Sequence, residues 1–505
     1  MKPLSAWLDA HAAISPERIM LTIAGANITY GEMALKARHL AAFLMPEARL
    51  EKGARIAWLG YNRAEFITLI FAAARAGLTV VPLNWRLSAQ EQKNILENAG
   101  ASLLLAQAEF ASRAADICPA GCRLMTCGGS SDAHGDFDDA LHAGKGLPCP
   151  VRGGPDDPLL LVYTSGTTGE PKGAVLSQEA ILFNALNAIH MHDMTRNDTI
   201  LSILPLFHVG GLNIQTMPAF YCGARVILHE KFAPAAALAC IAQERPSLTL
   251  QVPATLQAMM SLDEWESSDI SGLRALAIGS TDVPLPLIEA VQARNVPVIQ
   301  IYGATETGPV AIYQTPAEAM ATTGSIGREG LHTQIRLVDE AGKDTQDGET
   351  GEILVRGRHV AQGYWKDAAN PAFAGGWFHS GDMARRDSNG LFWFRGRKKN
   401  MIISGGENIY PAEIERVLRQ LSGIAACAVV GIPDEKWGQA PAALVVLDEP
   451  PSISLADIHQ VLDESLARYK HPRHIFFVPE LPRNAMGKVL LEDVRAIILS
   501  RLGKA

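Results

Sequence analysis

The 505-residue chain is poor in charged residues and has no long apolar run, and each shortage excludes a class of protein. Charged residues make up 19% of the chain, and 45 Lys and Arg against 53 Asp and Glu give a net charge of −8. The chain therefore lacks the basic excess of a nucleic-acid-binding protein. Its strongest apolar run, FITLIFAAA (66–74), is far shorter than the roughly 20 residues that cross a membrane. We expect no nucleic-acid partner and no integral membrane segment.

The N-terminus and the cysteines indicate a cytoplasmic protein. The N-terminal stretch MKPLSAWLDAHAAISPERIM carries an early acid at Asp9 and lacks the apolar core of a signal peptide. The seven cysteines, an odd number scattered along the chain, suit reduced thiols better than a disulfide framework. Cys118, Cys122 and Cys127 lie close together but form no CxxC pairs, so we interpret them as small apolar fillers rather than as a metal site.

Several catalytic signatures are also missing. No HExxH spacing accompanies His190, His192 or His208, which argues against a metal role for these histidines. The chain has no GxSxG elbow and no GxGxxG fingerprint, which excludes an α/β-hydrolase and a Rossmann dehydrogenase. Its glycine-rich stretch is not followed by GK[ST], so it is not a Walker A loop.

What the chain does contain is an alternation of strand and helix patterns, which predicts an α/β fold. Segments 54–60, 64–77 and 78–84 have the patterns of strand, helix and strand, the order of a βαβ unit in a parallel sheet. Further strand patterns lie at 101–107, 248–254, 273–280 and 296–303. We predict two sheets of this type in a large N-terminal domain.

The other regions have different patterns. Residues 111–157 are polar and weakly periodic, which predicts a surface connection. From about residue 324, alternating strands around the turns AGKD and DGETG predict a small β-barrel. The segment after RGRKKN (395–400) is long enough for a small α+β domain of its own. We therefore predict an N-terminal domain over 1–398 and a C-terminal domain over 399–505.

The most informative stretch is LLLVYTSGTTGEPKG (159–173), in which an apolar strand leads into a loop of hydroxyls, glycines and one lysine. Glycines let backbone N–H groups approach phosphate oxygens, hydroxyls add donors, and the lysine supplies positive charge. A flexible polar hairpin is the weaker alternative, because so many donors are consecutive. The predicted phosphate-binding residues are Thr164, Ser165, Gly166, Thr167, Thr168, Gly169 and Lys172.

This stretch resembles the phosphate-binding signature of the adenylate-forming superfamily, which includes acyl-CoA synthetases, adenylation domains and luciferases. The resemblance covers nearly the whole chain, because six further signatures follow in the family's order. They are LPLFHVGG (204–211), YGATETG (302–308), GEILVRG (351–357), WFHSGD (377–382), FRGRKKNMIISGGENIYP (394–411) and PRNAMGK (482–488). The chain is most similar in type to fatty-acid and aryl-acid CoA ligases.

The resemblance implies roles for the nucleotide-binding residues. Tyr302 would stack on adenine, Thr305 would contact the α-phosphate, and Glu306 would bind Mg²⁺, for which a carboxylate is a suitable hard ligand. Asp382, assisted by Arg397, would bind the ribose hydroxyls. Without the other motifs, TETG would be interpreted as a helix cap and Asp382 as a turn residue. The other residues that the resemblance implies for ATP and AMP binding are Gly279, Ser280, Thr281, Gly303 and Ala304.

The catalytic and acyl-binding roles also follow from the resemblance. Lys488 would bridge the carboxylate and the α-phosphate, because a desolvated ammonium offsets the repulsion between two anions. On composition alone, this lysine would be solvated surface. His208 would border the acyl pocket, although a lone histidine between apolar residues is more often a core residue. The implied catalytic residues are Lys488, Thr164 and His208, and the implied acyl pocket comprises Phe207, His208, Gly279 and Gly303.

The resemblance also places a hinge at Lys399, about which a mobile C-terminal domain would rotate between the two half-reactions. The rotation would withdraw Lys488 and bring the SGGEN loop (404–408) to the active site. Asn400 departs from the family, which often has an acid at this position, and leaves the local salt bridges open. The implied tunnel for the pantetheine arm of coenzyme A is lined by Gly405, Gly406, Glu407 and Trp437.

These observations predict an acyl-CoA synthetase that uses ATP, Mg²⁺ and coenzyme A. It would activate an apolar carboxylic acid, fatty or aromatic, as acyl-AMP and then form the thioester. Segments 204–216, 279–283 and 302–311 contain no Arg or Lys, which disfavours an acid with a second carboxylate. The alternatives are an acyl-AMP ligase that loads a carrier protein in trans and a nucleotide-binding regulator without catalysis. A homodimer is a further expectation.

Overall fold

The computed structural model describes residues 2–45, 50–129, 135–164, 172–279, 283–404, 407–434, 437–448, 453–484 and 487–503. By their internal contacts the residues form two compact units. The first unit comprises Met1–Thr281, Val291–Ile335 and Val355–Phe378, and the second comprises Asp282–Ala290, Arg336–Leu354 and His379–Ala505. The domain boundary that the sequence places at Lys399 stays a prediction.

In the described part of the first unit, a six-stranded sheet contains the predicted βαβ pattern. Strand Arg55–Leu59, helix Ala64–Ala76 and strand Thr79–Pro82 follow one another, and the two strands pair in parallel, which confirms the prediction. Gly77 ends the helix in the left-handed conformation, with φ 71°. In spatial order the strands are Arg123–Cys127, Ala101–Gln107, Arg55–Leu59, Thr79–Pro82, Pro158–Thr164 and Lys172–Ser177, and the last pair is antiparallel.

A nine-stranded sheet lies in the same unit, again counting the described residues. Its central strands are parallel, and antiparallel strands lie at both edges. Because the carboxyl ends of parallel strands meet at one edge of a sheet, Ser202, Gly279 and Tyr302 end their strands on the same side. In spatial order the strands are Arg328–Glu329, Ile312–Tyr313, Val298–Tyr302, Ala275–Gly279, Leu248–Gln251, Thr199–Ser202, Arg225–Leu228, Ile19–Ile23 and Ala26–Thr29.

Helices connect many of the strands in the described residues. None of them is long and apolar enough to cross a bilayer. Up to residue 320 they are Ser5–Ile14, Tyr30–Leu44, Ala64–Ala76, Ala89–Ala99, Ala111–Ile117, Phe137–Ala143, Gln178–His192, Val209–Gly211, Met217–Cys222, Pro234–Glu244, Pro253–Met260, Leu285–Gln292 and Pro316–Ala319. The later helices are Pro411–Arg419, Leu455–Ser465 and Leu491–Arg501. A π-helix spans Leu212–Thr216, directly after the LPLFHVGG signature.

The prediction of a surface connection over 111–157 is wrong in part. This region contains two short helices, Ala111–Ile117 and Phe137–Ala143, and the strand Arg123–Cys127 between them. The strand lies at the edge of the six-stranded sheet and pairs with Ala101–Gln107. Its first residue is exposed, and the whole strand is short, so the sequence has only a weak alternation there.

The region predicted as a small barrel forms a four-stranded antiparallel sheet in the described residues, most of it within the second unit. In spatial order its strands are Gln334–Val338, Thr350–Arg356, Phe378–Arg386 and Phe392–Arg397. The last two strands pair with Asp382 opposite Arg397. This register brings together two side chains that belong to different sequence motifs, WFHSGD and FRGRKKN.

The C-terminal segment of the second unit forms a five-stranded sheet covered on both faces, as counted in the described residues. Helices Pro411–Arg419 and Leu455–Ser465 pack on one face and helix Leu491–Arg501 on the other. Apolar faces of the helices are buried against the sheet, which is how a segment of this size obtains a core of its own. The strands are Glu407–Ile409, Ile402–Ser404, Gly438–Leu447, Ile424–Asp434 and His474–Phe477. The α/β class is therefore confirmed.

His192, at the end of helix Gln178–His192, is a buried histidine that the fold keeps neutral. It is fully buried, and its Nδ1 lies 2.7 Å from the carbonyl oxygen of Ala188. The Gln215 amide nitrogen lies 3.0 Å from His192 Nε2 and donates to it, which requires an unprotonated Nε2. Burial, assisted by the charge of Arg274, lowers the pKa of His192 to about 4.

Because the pKa of His192 is lowered in the folded chain, we expect the protein to lose stability in mild acid. Between pH 6.5 and 4 the unfolded chain protonates His192 and the folded chain does not, so the free energy of unfolding falls as the pH falls. The fall approaches about 1.4 kcal/mol per pH unit inside this window. Denaturant unfolding of His192→Gln between pH 7 and 4.5 should give a flatter pH dependence than the parent protein. His142→Gln, at an exposed site, is the control and should leave the slope unchanged.

Candidate active site

The predicted phosphate-binding loop begins and ends on paired strands. Strands Pro158–Thr164 and Lys172–Ser177 are antiparallel, with Thr164 opposite Lys172. The Thr164 hydroxyl donates to the Lys172 carbonyl oxygen at 3.4 Å. The two ends of the loop are therefore side by side, as a phosphate-enclosing hairpin requires. The predicted loop residues Ser165, Gly166, Thr167, Thr168 and Gly169 lie outside the described residues.

The Lys172 ammonium lies above an aromatic ring. Its Nζ is 5.3 Å from the centroid of the Tyr364 ring and 4.0 Å from Asp367 Oδ2. A cation over a phenol ring is attracted by the negative face of the ring. The lysine is thus held beside the loop without the close ion pair that would neutralise it.

A tight turn presents Glu306 at the end of the strand Val298–Tyr302. Gly303 cannot be replaced there, because a Cβ would lie 1.7 Å from the Pro309 carbonyl oxygen. The Ala304 N–H donates to the Thr307 hydroxyl at 2.9 Å, and Thr305–Thr307 form a 3-10 turn. Glu306 is buried, with 8% of its surface exposed. The sequence-predicted Tyr302, Gly303, Ala304, Thr305 and Glu306 are therefore brought together on one turn.

A second segment, residues 359–365, fastens this turn; we refer to it as the strap. The Ala361 N–H donates to the Glu306 carbonyl oxygen at 2.7 Å, and His359 Nδ1 lies 2.6 Å from the Thr307 carbonyl oxygen. The Tyr364 hydroxyl donates to Glu306 Oε1 at 2.6 Å. Burial and the neighbouring Glu306 charge raise the pKa of Tyr364, so the phenol remains a donor.

The strap also pairs with the strand that follows the phosphate-binding loop. The Val175 N–H donates to the Gly363 carbonyl oxygen at 3.0 Å, and the Trp365 N–H donates to the Gly173 carbonyl oxygen at 2.7 Å. One segment thus connects the predicted phosphate-binding and metal-binding elements. Sequence reasoning missed the strap because HVAQGYW (359–365) has neither a periodic pattern nor a cluster of catalytic side chains.

The predicted acyl-pocket residues Phe207 and His208 lie on the loop after strand Thr199–Ser202. Their ring centroids are 4.4 Å apart, and Phe207 is buried. Burial, together with the positive charge of Arg86, lowers the pKa of His208 to about 4. The imidazole is therefore neutral at physiological pH and adds no charge to the pocket wall. Arg86, which lies on the Trp85 ring, was not identified from the sequence.

Gly279 lies at the same edge of the nine-stranded sheet as Tyr302. It pairs with Ile301 on the neighbouring strand, and a Cβ at Gly279 would lie 2.7 Å from the Ile301 carbonyl oxygen. The structure thus places Gly279 beside the turn that contains Gly303. Ser280 and Thr281, predicted for the same adenine-side loop, lie outside the described residues.

Asn62, which follows strand Arg55–Leu59 of the six-stranded sheet, holds the loop of residues 203–208; we refer to this loop as the pocket loop. Asn62 was not identified from the sequence. Its Nδ2 donates to the carbonyl oxygens of Leu204 and His229 at 3.0 and 2.9 Å. Its Oδ1 accepts from the Leu206 N–H at 2.8 Å. Asn62 is buried, so these bonds are not exchanged for bonds to water. The amide thus bonds two backbone groups of a loop that lacks regular structure and one backbone group of the segment after strand Arg225–Leu228.

In the second unit, Asp382 and Arg397, the residues predicted to bind ribose, lie opposite each other on paired strands. Arg397 Nε lies 2.8 Å from Asp382 Oδ1, and the carboxylate is buried. Glu352 supports the same turn, because its Oε1 accepts from the Gly381 N–H at 3.2 Å and its Oε2 from Lys398 Nζ at 2.9 Å. Glu352 belongs to the GEILVRG signature, and its role in holding this turn was not predicted.

Lys488 lies on a tight turn in the same unit. Its N–H donates to the Asn484 side-chain oxygen at 3.0 Å, and its carbonyl oxygen accepts from the Asn484 N–H at 2.9 Å. Desolvation and then the charges of Arg397 and Lys399 lower the pKa of Lys488, while Asp382 opposes the shift. Desolvation and Arg397 lower the pKa of Lys399 in the same way. Arg397 is thus ion-paired with Asp382, and both of these charges act on Lys399 and Lys488.

The residues predicted for the coenzyme A tunnel are only partly described. Trp437 is 41% exposed, and its N–H donates to Asp434 Oδ1 at 2.9 Å. Strand pairing places Ser404 opposite Gly438, the residue after Trp437. Gly405 and Gly406 lie outside the described residues, and Glu407 begins the strand Glu407–Ile409. Lys399, the predicted hinge, lies in the 3-10 turn Lys398–Asn400.

The chain matches known families over most of its length. Residues 8–365 match the model of the AMP-binding enzyme, and residues 413–488 match that of the AMP-binding enzyme C-terminal domain. The chain is 43% identical over 500 residues to the indoleacetate–CoA ligase of Aromatoleum aromaticum, with 98% of each protein covered. It is 37% identical over 494 residues to the feruloyl-CoA synthase of an Amycolatopsis species, covering 97% of this chain and 98% of that protein.

Solved structures of the o-succinylbenzoate CoA synthetase of Bacillus subtilis are similar to the whole fold. The complex with the acyl-adenylate intermediate OSB-AMP has a TM-score of 0.85 and 31% identity, covering 98% of each chain. The complex with ATP and a magnesium ion has a TM-score of 0.83 and 31% identity, covering 97% of this chain and 98% of that one.

The Asn62 clamp predicts a local loosening when its amide is removed. Asn62→Ala removes the partner of two buried backbone groups in this loop, at a cost of about 1–3 kcal/mol for each unsatisfied group. Hydrogen exchange followed by mass spectrometry should detect at least about tenfold faster exchange in 203–212, since 1.4 kcal/mol corresponds to tenfold. Asn94→Ala, at an exposed helical site, is the control. Unchanged protection of 203–212 in Asn62→Ala would contradict the clamp.

Proposed function

Since the chain belongs to the AMP-binding enzyme family, we propose which acid it activates and which side chains act on that acid. The resemblance drawn from the motifs is confirmed. The protein is an acid–thiol ligase that converts an aromatic or fatty acid to acyl-AMP and then to the coenzyme A thioester. ATP with Mg²⁺ and coenzyme A are its other substrates.

The acid that we propose is an apolar aromatic carboxylic acid. The observation that carries this choice is the pair Phe207 and His208, two rings 4.4 Å apart of which the second is neutral. Flat, uncharged ring surfaces favour an aromatic ligand through stacked or edge-on contacts. The names of the relatives agree, since indoleacetate and ferulate are both aromatic acids.

In the first half-reaction, a carboxylate oxygen attacks the α-phosphorus of ATP and pyrophosphate leaves. No side chain forms a covalent bond, so the protein contributes charge neutralisation and positioning. We propose that Lys488 bridges the carboxylate and the α-phosphate, that Thr305 donates to the α-phosphate, and that Lys172 contacts the phosphates. Thr164 begins the loop that encloses them.

The buried carboxylate of Glu306 fits the chemistry of Mg²⁺, and we propose that it holds the metal. Magnesium prefers oxygen ligands and is often held by one or two carboxylates together with substrate phosphates. Glu306 presents such an oxygen on a fixed turn. When bound, Mg²⁺ offsets the charge of the phosphates and of the leaving pyrophosphate.

For the nucleoside, we propose that Asp382 and Arg397 bind the ribose and that Tyr302 contacts adenine. The buried Asp382 carboxylate is ion-paired with Arg397, and its oxygens have lone pairs that ribose hydroxyls can donate to. Gly279 and Gly303 lie at adjacent strand ends, where the absence of a Cβ lets neighbouring backbone segments pass close together beside Tyr302. This arrangement supports the adenine side of the proposed site.

In the second half-reaction, the coenzyme A thiolate attacks the acyl carbon of acyl-AMP, and AMP leaves. We propose that the segment after Lys399 rotates between the half-reactions and withdraws Lys488. The pantetheine arm would then pass Trp437 and the loop that contains Gly405, Gly406 and Glu407. A homodimer and a cytoplasmic location remain expectations, and light scattering of the purified protein measures the first.

The proposed substrate predicts a ranking of acids. Pyrophosphate release should be measured with indole-3-acetate, phenylacetate, ferulate, decanoate and succinylbenzoate, and thioester should be identified by mass spectrometry after addition of coenzyme A. Indole-3-acetate, phenylacetate and ferulate should have kcat/KM values at least about tenfold above those of decanoate and succinylbenzoate. This is the discrimination expected from about 1.4 kcal/mol of pocket contacts. A fatty acid as the best substrate would contradict the proposal. Adenylate without thioester would favour transfer to a carrier protein.

The proposed role of Lys488 predicts that the two half-reactions respond differently to its removal. Lys488→Ala should lower the rate of adenylate formation by roughly 10²–10³-fold, the loss typical of one electrostatic donor. Thioester formation from supplied acyl-AMP should remain close to that of the parent protein. Lys343→Ala, an exposed lysine of the same unit, is the control. Equal losses in both half-reactions would contradict the withdrawal of Lys488 between them.

A further inference from the structure

We propose that Tyr364 is a positioning residue that holds the Glu306 carboxylate ready for the metal, and that the strap couples this carboxylate to Lys172. The inference rests on the proposed function in one respect, the assignment of Glu306 to Mg²⁺. It adds a residue that the motifs do not include. Tyr364 contacts neither substrate nor metal in this account and acts through its two neighbours.

The first support is the contact between the phenol and the carboxylate. The Tyr364 hydroxyl donates to Glu306 Oε1 at 2.6 Å. Glu306 Oε2 has no hydrogen-bonding partner among the residues that the structure describes. One oxygen is therefore held by the protein and the other is available as a ligand. A second group that orients a metal-binding side chain typically increases metal affinity.

The second support is that the backbone of Glu306 is already fixed. The Ala361 N–H donates to its carbonyl oxygen at 2.7 Å. His359 holds the next residue, with its Nδ1 2.6 Å from the Thr307 carbonyl oxygen and its Nε2 2.9 Å from the Thr333 hydroxyl. The remaining freedom of Glu306 lies in its side-chain torsions. The phenol is the group that restrains them.

The third support is a contact that the face of the Tyr364 ring makes. Lys172 Nζ lies 5.3 Å from the centroid of the Tyr364 ring. Tyr364 thus contacts the predicted metal ligand with its hydroxyl and the predicted phosphate-binding lysine with its ring. The ring itself is anchored by an edge-to-face contact with Phe373, with centroids 5.3 Å apart. Replacement by phenylalanine can therefore remove the hydroxyl and keep the ring contacts.

The test is the binding of ATP in the absence of any acid, measured by calorimetry with Mg²⁺ and with EDTA. In Tyr364→Phe, the gain in ATP affinity that Mg²⁺ produces should fall by about tenfold, the lower end of losses for second-sphere partners of a metal. ATP affinity in EDTA should be unchanged, because the ring still faces Lys172. Tyr364→Leu should also lower the affinity in EDTA. Tyr30→Phe, which removes another buried phenol that bonds only the Ala224 carbonyl oxygen, is the control.

A double-mutant cycle with Glu306→Gln separates positioning from general destabilisation. Tyr364→Phe should have no further effect on the Mg²⁺-dependent gain when Glu306 is already replaced. An unchanged gain in Tyr364→Phe, or equal losses with Mg²⁺ and with EDTA, would overturn the inference. An unchanged gain in Glu306→Gln would overturn its premise. Because no acid is present, these results stand apart from the choice of acid, whose failure the substrate panel alone would detect.

Discussion

The repulsion between anions is the constraint that organises this protein. Its reaction brings a carboxylate against a triphosphate, and coenzyme A is a further anion, while the chain itself has a net charge of −8. Attraction must therefore come from a few placed cations. In the second unit, Arg397 is ion-paired with Asp382, and its positive charge acts on Lys399 and Lys488. Desolvation first, and then the neighbouring positive charges, lower the pKa of both lysines.

The first unit solves a different problem, which is to hold short loops without regular structure. Parallel strands bring the ends of Thr199–Ser202, Ala275–Gly279 and Val298–Tyr302 to one edge, where several of the residues proposed to act in the reaction lie. Two polar clamps then fix those loops. Asn62 satisfies the backbone of the pocket loop, and the strap satisfies that of the turn at Glu306. Fixed donors and acceptors of this kind need no reorganisation during the reaction.

Local patterns explain which parts of this account the sequence could predict. The βαβ unit over 55–82 has strong apolar runs and a terminal glycine, and motifs mark Glu306, Asp382 and Lys488. The strap and the Asn62 contact could not be predicted. The Tyr364 hydroxyl bonds Glu306 across 58 residues of sequence, and Asn62 bonds Leu206 across 144. Such contacts depend on the tertiary fold. The edge strand Arg123–Cys127 was missed for a local reason, since it is short and partly exposed. The roles of the site residues and the boundary at Lys399 stay predictions.

The most direct test of the central claim is the pKa of Lys488 with and without nucleotide. An NMR titration of protein with ¹³C-methylated lysines measures it, with the resonance assigned through Lys488→Arg. Crowded cations predict a pKa below the ordinary lysine value in the free protein and a rise when ATP binds, because an anion stabilises the ammonium. An ordinary pKa that ATP does not change would contradict the claim that placed cations, held together against their repulsion, carry the reaction.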